Sequence, residues 1–313
     1  QMQNTGASTA VDALQMVPGL AVEDGKSVYV RGLGDRYTKT VLNGMEIPGL
    51  DPDRNSVQMD IFPSNIIDNI TVYKTFTPNL TGDFTGGLVD ITTKDFPSTE
   101  NLLVKASLGY NSTASFNSNY ISYQGGKYDF LGFDDGTRQL PIRTTDKFLD
   151  PVLNDPSLTR QTSSFSNIMA TEKSKNFLNQ NYAISYGNRL SKVRKTKSNL
   201  DYGYNVVLNY KNTHNFFEDV EFNEYRKDTD LSITKLYQDR TSKGVLAQND
   251  IMWTALVGQA VKWRKNKLAF TVMRTQNGQS SVSNLIQENS ESNPATLVKQ
   301  SLQYTQRSVS TAN

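Results

Sequence analysis

Few residues of this 313-residue chain have the types or the spacing that catalysis or metal binding requires. The chain has no cysteine, which excludes disulfides, thiolate catalysis and zinc fingers. Its single histidine, His214, leaves little room for a histidine metal site or a Ser-His triad. The motifs of serine hydrolases, zinc proteases and P-loop proteins are missing from the sequence. The sequence therefore predicts that the protein is not an enzyme and has no cofactor and no metal site.

Two short motifs have part of the pattern of a ligand-binding loop. Residues 31–34 read RGLG, but Tyr37 stands where a dinucleotide loop needs its third glycine. Residues 51–55 have the Asp-x-Asp-x-Asn spacing of a calcium loop, but Ser56 and Phe62 replace the required Gly and Glu. These departures favour a tight turn at the first motif and an exposed polar loop at the second.

Basic residues are concentrated in two short segments, 191–199 and 264–267. Neither segment interleaves aromatic residues for base stacking, and the net charge of the chain is only +2. We therefore expect no nucleic-acid partner. We instead interpret the two basic segments as the ends of β-hairpins that lie near anionic lipid headgroups.

The elements that carry these residues divide the chain into two parts. Residues 1–97 contain 7 Lys and Arg against 12 Asp and Glu, a net charge of −5, whereas the remainder contains 26 against 19, a net of +7. The first part is punctuated by turn dipeptides, with one short helix and strand-like runs that predict a small α+β domain. The predicted strands cover residues 27–31, 40–43, 66–74 and 88–93. We place the domain boundary at Pro97, with a second domain over 98–313.

The second part shows strict alternation of apolar with small or polar residues, which is typical of β-strands with one buried or lipid-facing side. The segments begin near Leu102, Tyr182, Tyr202, Ile251 and Leu268, with a weaker one near Leu302. Short connections at 191–199 and 264–267 alternate with long polar ones at 111–180, 212–244 and 275–297. This alternation is typical of outer-membrane barrels, although a soluble β-sandwich also alternates.

Trp253 and Trp263 favour the membrane alternative. They are ten residues apart on one face, which corresponds to roughly 23 Å at a strand tilt of about 45°. The apolar band of a membrane barrel is about 25 Å tall and has aromatic residues at both edges. We expect Leu208, Val257 and Phe270 to face lipid, and Asn205, Gly258 and Thr271 to face the lumen.

Five ordered sequence blocks resemble the plug domain of TonB-dependent outer-membrane receptors. They are VPGL at 17–20, VYVRGLG at 28–34, VLNGMEIP at 41–48, IIDNITVYK at 66–74 and GGLVDITTK at 86–94. The resemblance implies a globular plug inside a 22-stranded barrel in the bacterial outer membrane. It also implies uptake energised by the TonB complex, which binds a short N-terminal segment that is not present here.

The resemblance also implies where a ligand binds. Loops at 34–39 and 48–56 would face the extracellular cavity, which makes six residues candidate ligand contacts: Asp35, Arg36, Tyr37, Asp51, Asp53 and Arg54. The alternative is that these residues bond the barrel wall and hold the plug. About six strands follow Pro97, too few for such a barrel. We therefore expect the chain to be part of a longer receptor.

The leading hypothesis is a TonB-dependent receptor that imports an unidentified ligand and contacts outer-membrane lipid. The alternative is an outer-membrane docking platform for a surface or secretion assembly, with a surface lipoprotein as partner. We also expect the acidic plug to be held by salt-screened charge pairs rather than by one packed apolar seam.

Overall fold

The computed structural model describes residues 10–23, 27–47, 49, 57–59, 62, 67–78, 80–94, 100–142, 156–165, 170–193, 199–230, 232–289 and 295–313. Strands dominate these residues, and the main sheets have four and six strands. Helix α1 (Ala10–Leu14) and helix α2 (Pro156–Ser163) are short. Among the described residues, no helix has the length and apolar character needed to cross a membrane.

The N-terminal unit, residues 10–94, contains α1 and two small sheets. Strands β1 (Leu20–Glu23) and β2 (Ser27–Val30) form a hairpin. The second sheet has the order β4-β3-β6-β5. Its strands are β3 (Thr38–Leu42), β4 (Met45–Glu46), β5 (Ile67–Tyr73) and β6 (Gly87–Thr93). The parallel pairing of β3 with β6 places the start of the third sequence block beside the fifth.

The Asn43-Gly44 dipeptide makes the turn between β3 and β4. Both residues have positive φ, 51° and 82°, which is the requirement of a two-residue type I′ hairpin. This confirms the turn that the sequence predicts at this dipeptide. The strands predicted at 27–31, 40–43, 66–74 and 88–93 are also confirmed, with shifts of one or two residues at their ends.

Six antiparallel strands form the large sheet, in the order β14-β13-β12-β11-β10-β7. They are β7 (Asn101–Gly109), β10 (Asn179–Val193), β11 (Asn199–Lys227), β12 (Leu236–Trp263), β13 (Asn266–Asn289) and β14 (Thr296–Ala312). Strands β7 and β14 form the two edges of the sheet within the described residues. An α+β unit followed by an antiparallel sheet is the predicted fold class.

The prediction of long polar loops at 212–244 and 275–297 is wrong. Strands β11 and β12 pair continuously from Leu200–Trp263 up to Lys227–Leu236, with two bulges, and β13 continues to Asn289. The alternation signal ends near residue 210 because polar residues predominate on both faces beyond that point, although single apolar residues such as Phe216 are buried there. Backbone pairing does not need an apolar face, so the strands continue where the periodic signal stops.

The connections give the sheet two different ends. One end, the short-connection end, carries the two-residue turn Arg264–Lys265 and residues 194–198, which lie outside the described residues. The opposite end, the long-connection end, carries the links 110–178, 228–235 and 290–295. The first of these links contains the two-stranded sheet of β8 (Ile121–Ser122) and β9 (Glu172–Lys173).

The two faces of the large sheet have different environments. The inner face carries Val207, Leu256 and Met273, which are at most 2% exposed. The outer face carries their neighbours in sequence, and Leu208, Val257 and Phe270 are 41–54% exposed there. The predicted inner residues Asn205 and Gly258 are buried. The alternation predicted from sequence therefore matches the observed exposure of the two faces.

A continuous hydrophobic cluster joins the inner face to the N-terminal unit. Val207, Met252, Leu256, Met273 and Val309 of the sheet belong to the same cluster as Ala10, Leu14, Met59, Phe62 and Ile91 of the N-terminal unit. This apolar seam contradicts the expectation that charge pairs alone hold the unit. Removing these side chains from water favours association of the two parts by about 25 cal/mol per Å² of apolar surface.

Candidate functional site

The structure places half of the predicted ligand residues on one exposed turn. Asp35–Tyr37 form a 3-10 helix that leads into β3, and Arg36 and Tyr37 are exposed. Asp51, Asp53 and Arg54 lie outside the described residues. The turn offers a guanidinium and a phenol side by side, groups that suit an anionic or aromatic ligand.

Glycines of the fifth sequence block support this turn. The amide of Tyr37 donates to the Gly34 carbonyl over 3.0 Å, and the amide of Gly86 donates to the Tyr37 carbonyl over 2.9 Å. A side chain at Gly87 would lie 2.7 Å from Val30, so only glycine permits this approach of β6 to β2. The Gly-Gly pair therefore fixes the turn against the sheet that presents it.

An ion-pair cluster lies beside the turn. Lys39 donates to Glu46 over 2.9 Å and also to Asp83. Hydrogen bonds to Asp83 and Glu46 raise the pKa of Lys39 above its ordinary value, and the bonds from Lys39 and Thr81 lower the pKa of Asp83. Both groups therefore stay charged at neutral pH and tie the start of β3 to residues 83–87.

The direction of β3 sets the position of the turn on the molecule. At the other end of the strand, Asn43 and Gly44 line a cavity of about 360 Å³ together with Lys267 and Thr271. Lys267 lies two residues from the turn Arg264–Lys265, whereas Thr271 lies farther along β13, paired with Gly258. β3 spans five residues, about 17 Å, and Asp35–Tyr37 lie at its opposite end from Asn43, Gly44 and this cavity.

Polar contacts connect the blocks to each other and to the large sheet. Lys74 donates to the carbonyl of Pro18, and the Asn43 side chain accepts from the Thr93 amide over 2.8 Å. On the inner face, Asn205 Nδ2 donates to the Lys94 carbonyl over 2.8 Å. The sequence predicts that Asn205 faces the lumen, but it does not predict this bond, because the acceptor is a backbone group.

The first 88 residues match a family model described as the TonB-dependent Receptor Plug Domain. Residues 1–88 are a TonB-dependent receptor plug domain. The predicted resemblance is thereby confirmed, and the five blocks have identifiable structural roles in the plug. They supply its turns, its close glycine contacts and the bonds between its strands.

Solved structures similar to the chain include the following two. The structure titled copper transporter OprC has 10% identity and a TM-score of 0.31, and the match covers 98% of this chain and 50% of OprC. The ferric enterobactin receptor PfeA has 10% identity and a TM-score of 0.29, with 95% and 57% covered. The chain spans about half the length of these proteins. The comparison with curated proteins gave no match.

Proposed function

We propose that the chain is part of a TonB-dependent outer-membrane receptor that imports a ligand through a plug-gated barrel. The observation that carries the proposal is the seating of a plug domain against the inner face of an antiparallel sheet whose outer face is apolar. In this proposal the six strands belong to a transmembrane barrel, with lipid on the outer face. The first domain ends at Pro97, and the protein does no catalysis.

The orientation follows from the connections. We propose that the short-connection end is periplasmic and the long-connection end extracellular, as in other membrane barrels. We propose that Asp35, Arg36 and Tyr37 then face the extracellular cavity, since β3 separates their turn from the cavity that Asn43 and Lys267 line. Asp51, Asp53 and Arg54 complete the proposed ligand site.

The apolar seam bears on how the plug responds to TonB. The seam lies between β11–β14 and the helix and strands of the plug, whereas the proposed ligand turn is held by a few hydrogen bonds and the Lys39 cluster. Exposed pairs of this kind contribute about 0–1 kcal/mol each. We propose that loops near the turn sense the ligand, while the seam holds the plug until TonB pulls on its N-terminal side.

The test is uptake of candidate ligands by cells that express the full-length receptor, with and without TonB. We expect uptake to require TonB and to fall when Arg36 and Arg54 are both replaced by alanine, while the barrel still assembles. Lys265→Ala, which removes a cation from the opposite end, serves as the control and is expected to leave uptake unchanged. Uptake without TonB would contradict the proposal, as would a receptor that imports nothing but copurifies with a stoichiometric surface lipoprotein.

A further inference from the structure

Three consecutive backbone carbonyls of the first long connection bind a row of side chains on the outer face. Tyr210 Oη donates to the Phe130 carbonyl over 3.0 Å, and Trp253 Nε1 donates to the Leu131 carbonyl over 2.9 Å. Gln276 Nε2 donates to the Gly132 carbonyl over 2.6 Å. The three donors are direct cross-strand partners on β11, β12 and β13, so they form one row across the sheet. We call residues 128–133 the outer turn.

The outer turn is seated closely on the sheet. Gly132 has a φ of 73°, and a side chain there would lie 2.9 Å from the backbone nitrogen of Gly278. The ring of Phe133 packs 6.1 Å from that of Trp253, and Gln276 is fully buried. A backbone contact this close, with three bonded carbonyls, gives the turn one defined position on the outer face.

Arg138 fixes the chain that follows the outer turn. Its guanidinium pairs with Asp129 and, over 3.1 Å, with Asp134. The same group lies 4.1 Å from the ring centroid of Tyr304 on β14. A cation that is desolvated against an aromatic face and paired with carboxylates contributes more than an exposed ion pair. The attachment of this segment therefore extends from β11 to β14.

The row of Tyr210, Trp253 and Gln276 lies at one edge of a belt of exposed apolar residues on the outer face, which we call the apolar belt. Leu208, Val257 and Phe270 lie on the short-connection side of the row and are exposed, and Trp263 marks the far limit of the belt. Ten residues separate Trp253 from Trp263, which corresponds to roughly 23 Å along the barrel axis. On the long-connection side, Phe216, Ala247 and Val282 of the outer face are buried beneath residues 114–121.

Two aromatic side chains of the outer turn remain exposed at this edge. Phe130 is 57% exposed and Tyr128 is 55% exposed, although the turn that carries them is rigidly held. We propose that Phe130 and Tyr128 insert into the headgroup region of the outer leaflet and anchor the first long connection to the lipid surface. The occupant is lipid rather than a protein because the two rings continue the apolar belt at the depth where aromatic residues prefer the membrane interface.

This inference rests on the proposed function, in which the belt faces lipid. The test uses the full-length receptor in a background without other cysteines, reconstituted into phosphatidylcholine vesicles. A fluorophore is attached at Phe130→Cys, at Val257→Cys near the belt centre, or at Phe116→Cys, an equally exposed residue of the same segment far from the belt. Nitroxide lipids labelled in the headgroup or near the chain end then quench the fluorophore according to its depth.

We expect the label at position 130 to lose more fluorescence to the headgroup nitroxide than to the chain-end nitroxide. The label at 257 lies about 9 Å nearer the bilayer centre and should show the reverse order. The label at 116 should lose little fluorescence to either lipid. If position 130 behaves like 116 while 257 is quenched, the anchor is overturned and the membrane assignment stands. If 257 is not quenched, the proposed function fails as well. Tyr128→Cys replaces Phe130→Cys if that variant does not fold.

Discussion

Asn43 combines a left-handed backbone with hydrogen bonds that connect two strands of the plug. Its side chain accepts from the Thr93 amide over 2.8 Å and donates to Thr93 Oγ1 over 3.0 Å. Asn43→Gly keeps the turn and removes these bonds, so we expect the Thr93 amide to exchange its hydrogen about tenfold faster, for a bond worth about 1.4 kcal/mol. Asn43→Ala adds a left-handed penalty of about 1–2 kcal/mol and should exchange faster still.

Hydrogen-exchange mass spectrometry of the full receptor measures this effect at residues 91–93. Met45→Ala is the matched control, because Met45 lies on the same hairpin, is half exposed and makes no described bond to Thr93. Equal exchange in wild type and Asn43→Gly would show that the backbone turn alone fixes this corner of the plug.

Val257 tests the assignment of the outer face at a single position. It lies between the two tryptophans of β12 and is 41% exposed. Val257→Arg should destabilise the folded receptor in vesicles by about 2–4 kcal/mol if the position is near the centre of the bilayer. Tyr225→Arg, on β11 beyond the belt, should cost little. Denaturant titration in vesicles gives both values, and equal costs would place Val257 in water.

The hairpin of β11 and β12 extends well beyond the belt. The 29 residues of β11 correspond to roughly 95 Å of strand, of which the belt accounts for about a third. An epitope inserted at 228–230 should therefore bind antibody on intact cells. An epitope inserted after Arg264 should bind only after the outer membrane is permeabilised. The opposite result would invert the proposed topology.

At the scale of elements, the sequence predicts strands where the two faces of the sheet differ. The alternation at Tyr202–Tyr210 is strong because the plug covers the inner face of the sheet there, while the outer face is apolar and exposed. It fails at 212–227, where polar residues predominate on both faces and an isolated apolar residue such as Phe216 packs under the first long connection. The outer turn was not predictable, since its acceptors are backbone carbonyls and every residue type has one.

The apolar seam packs the plug against the inner face of the large sheet. Met273→Ala removes a fully buried side chain from it and should cost about 2–5 kcal/mol, because the space left behind cannot collapse fully. We expect such a receptor to show more frequent openings in planar bilayers as the plug loosens. Val272→Ala, the next residue on the outer face, is the control and should not change conductance.

The charge imbalance illustrates what composition can predict about the whole molecule. A net charge of −5 over residues 1–97 against +7 over the rest indicates two modules that attract. It does not reveal how they touch, because contact depends on which side chains share a face. Only the register of β11, β12 and β13 places Val207, Leu256 and Met273 together against the plug.

The difference between the two faces of the large sheet has a consequence for how this chain can vary during evolution. A single inserted or deleted residue between 200 and 210 would move every later side chain of β11 to the opposite face of the sheet. If the change came before Val207, Val207 would point outward and Leu208 would point toward the plug. Length changes that survive within the belt should therefore come in pairs, or as a single residue accommodated by a bulge such as the one between Phe217 and Val220. This constraint on length does not apply to the connection at 228–235, which can gain or lose residues one at a time.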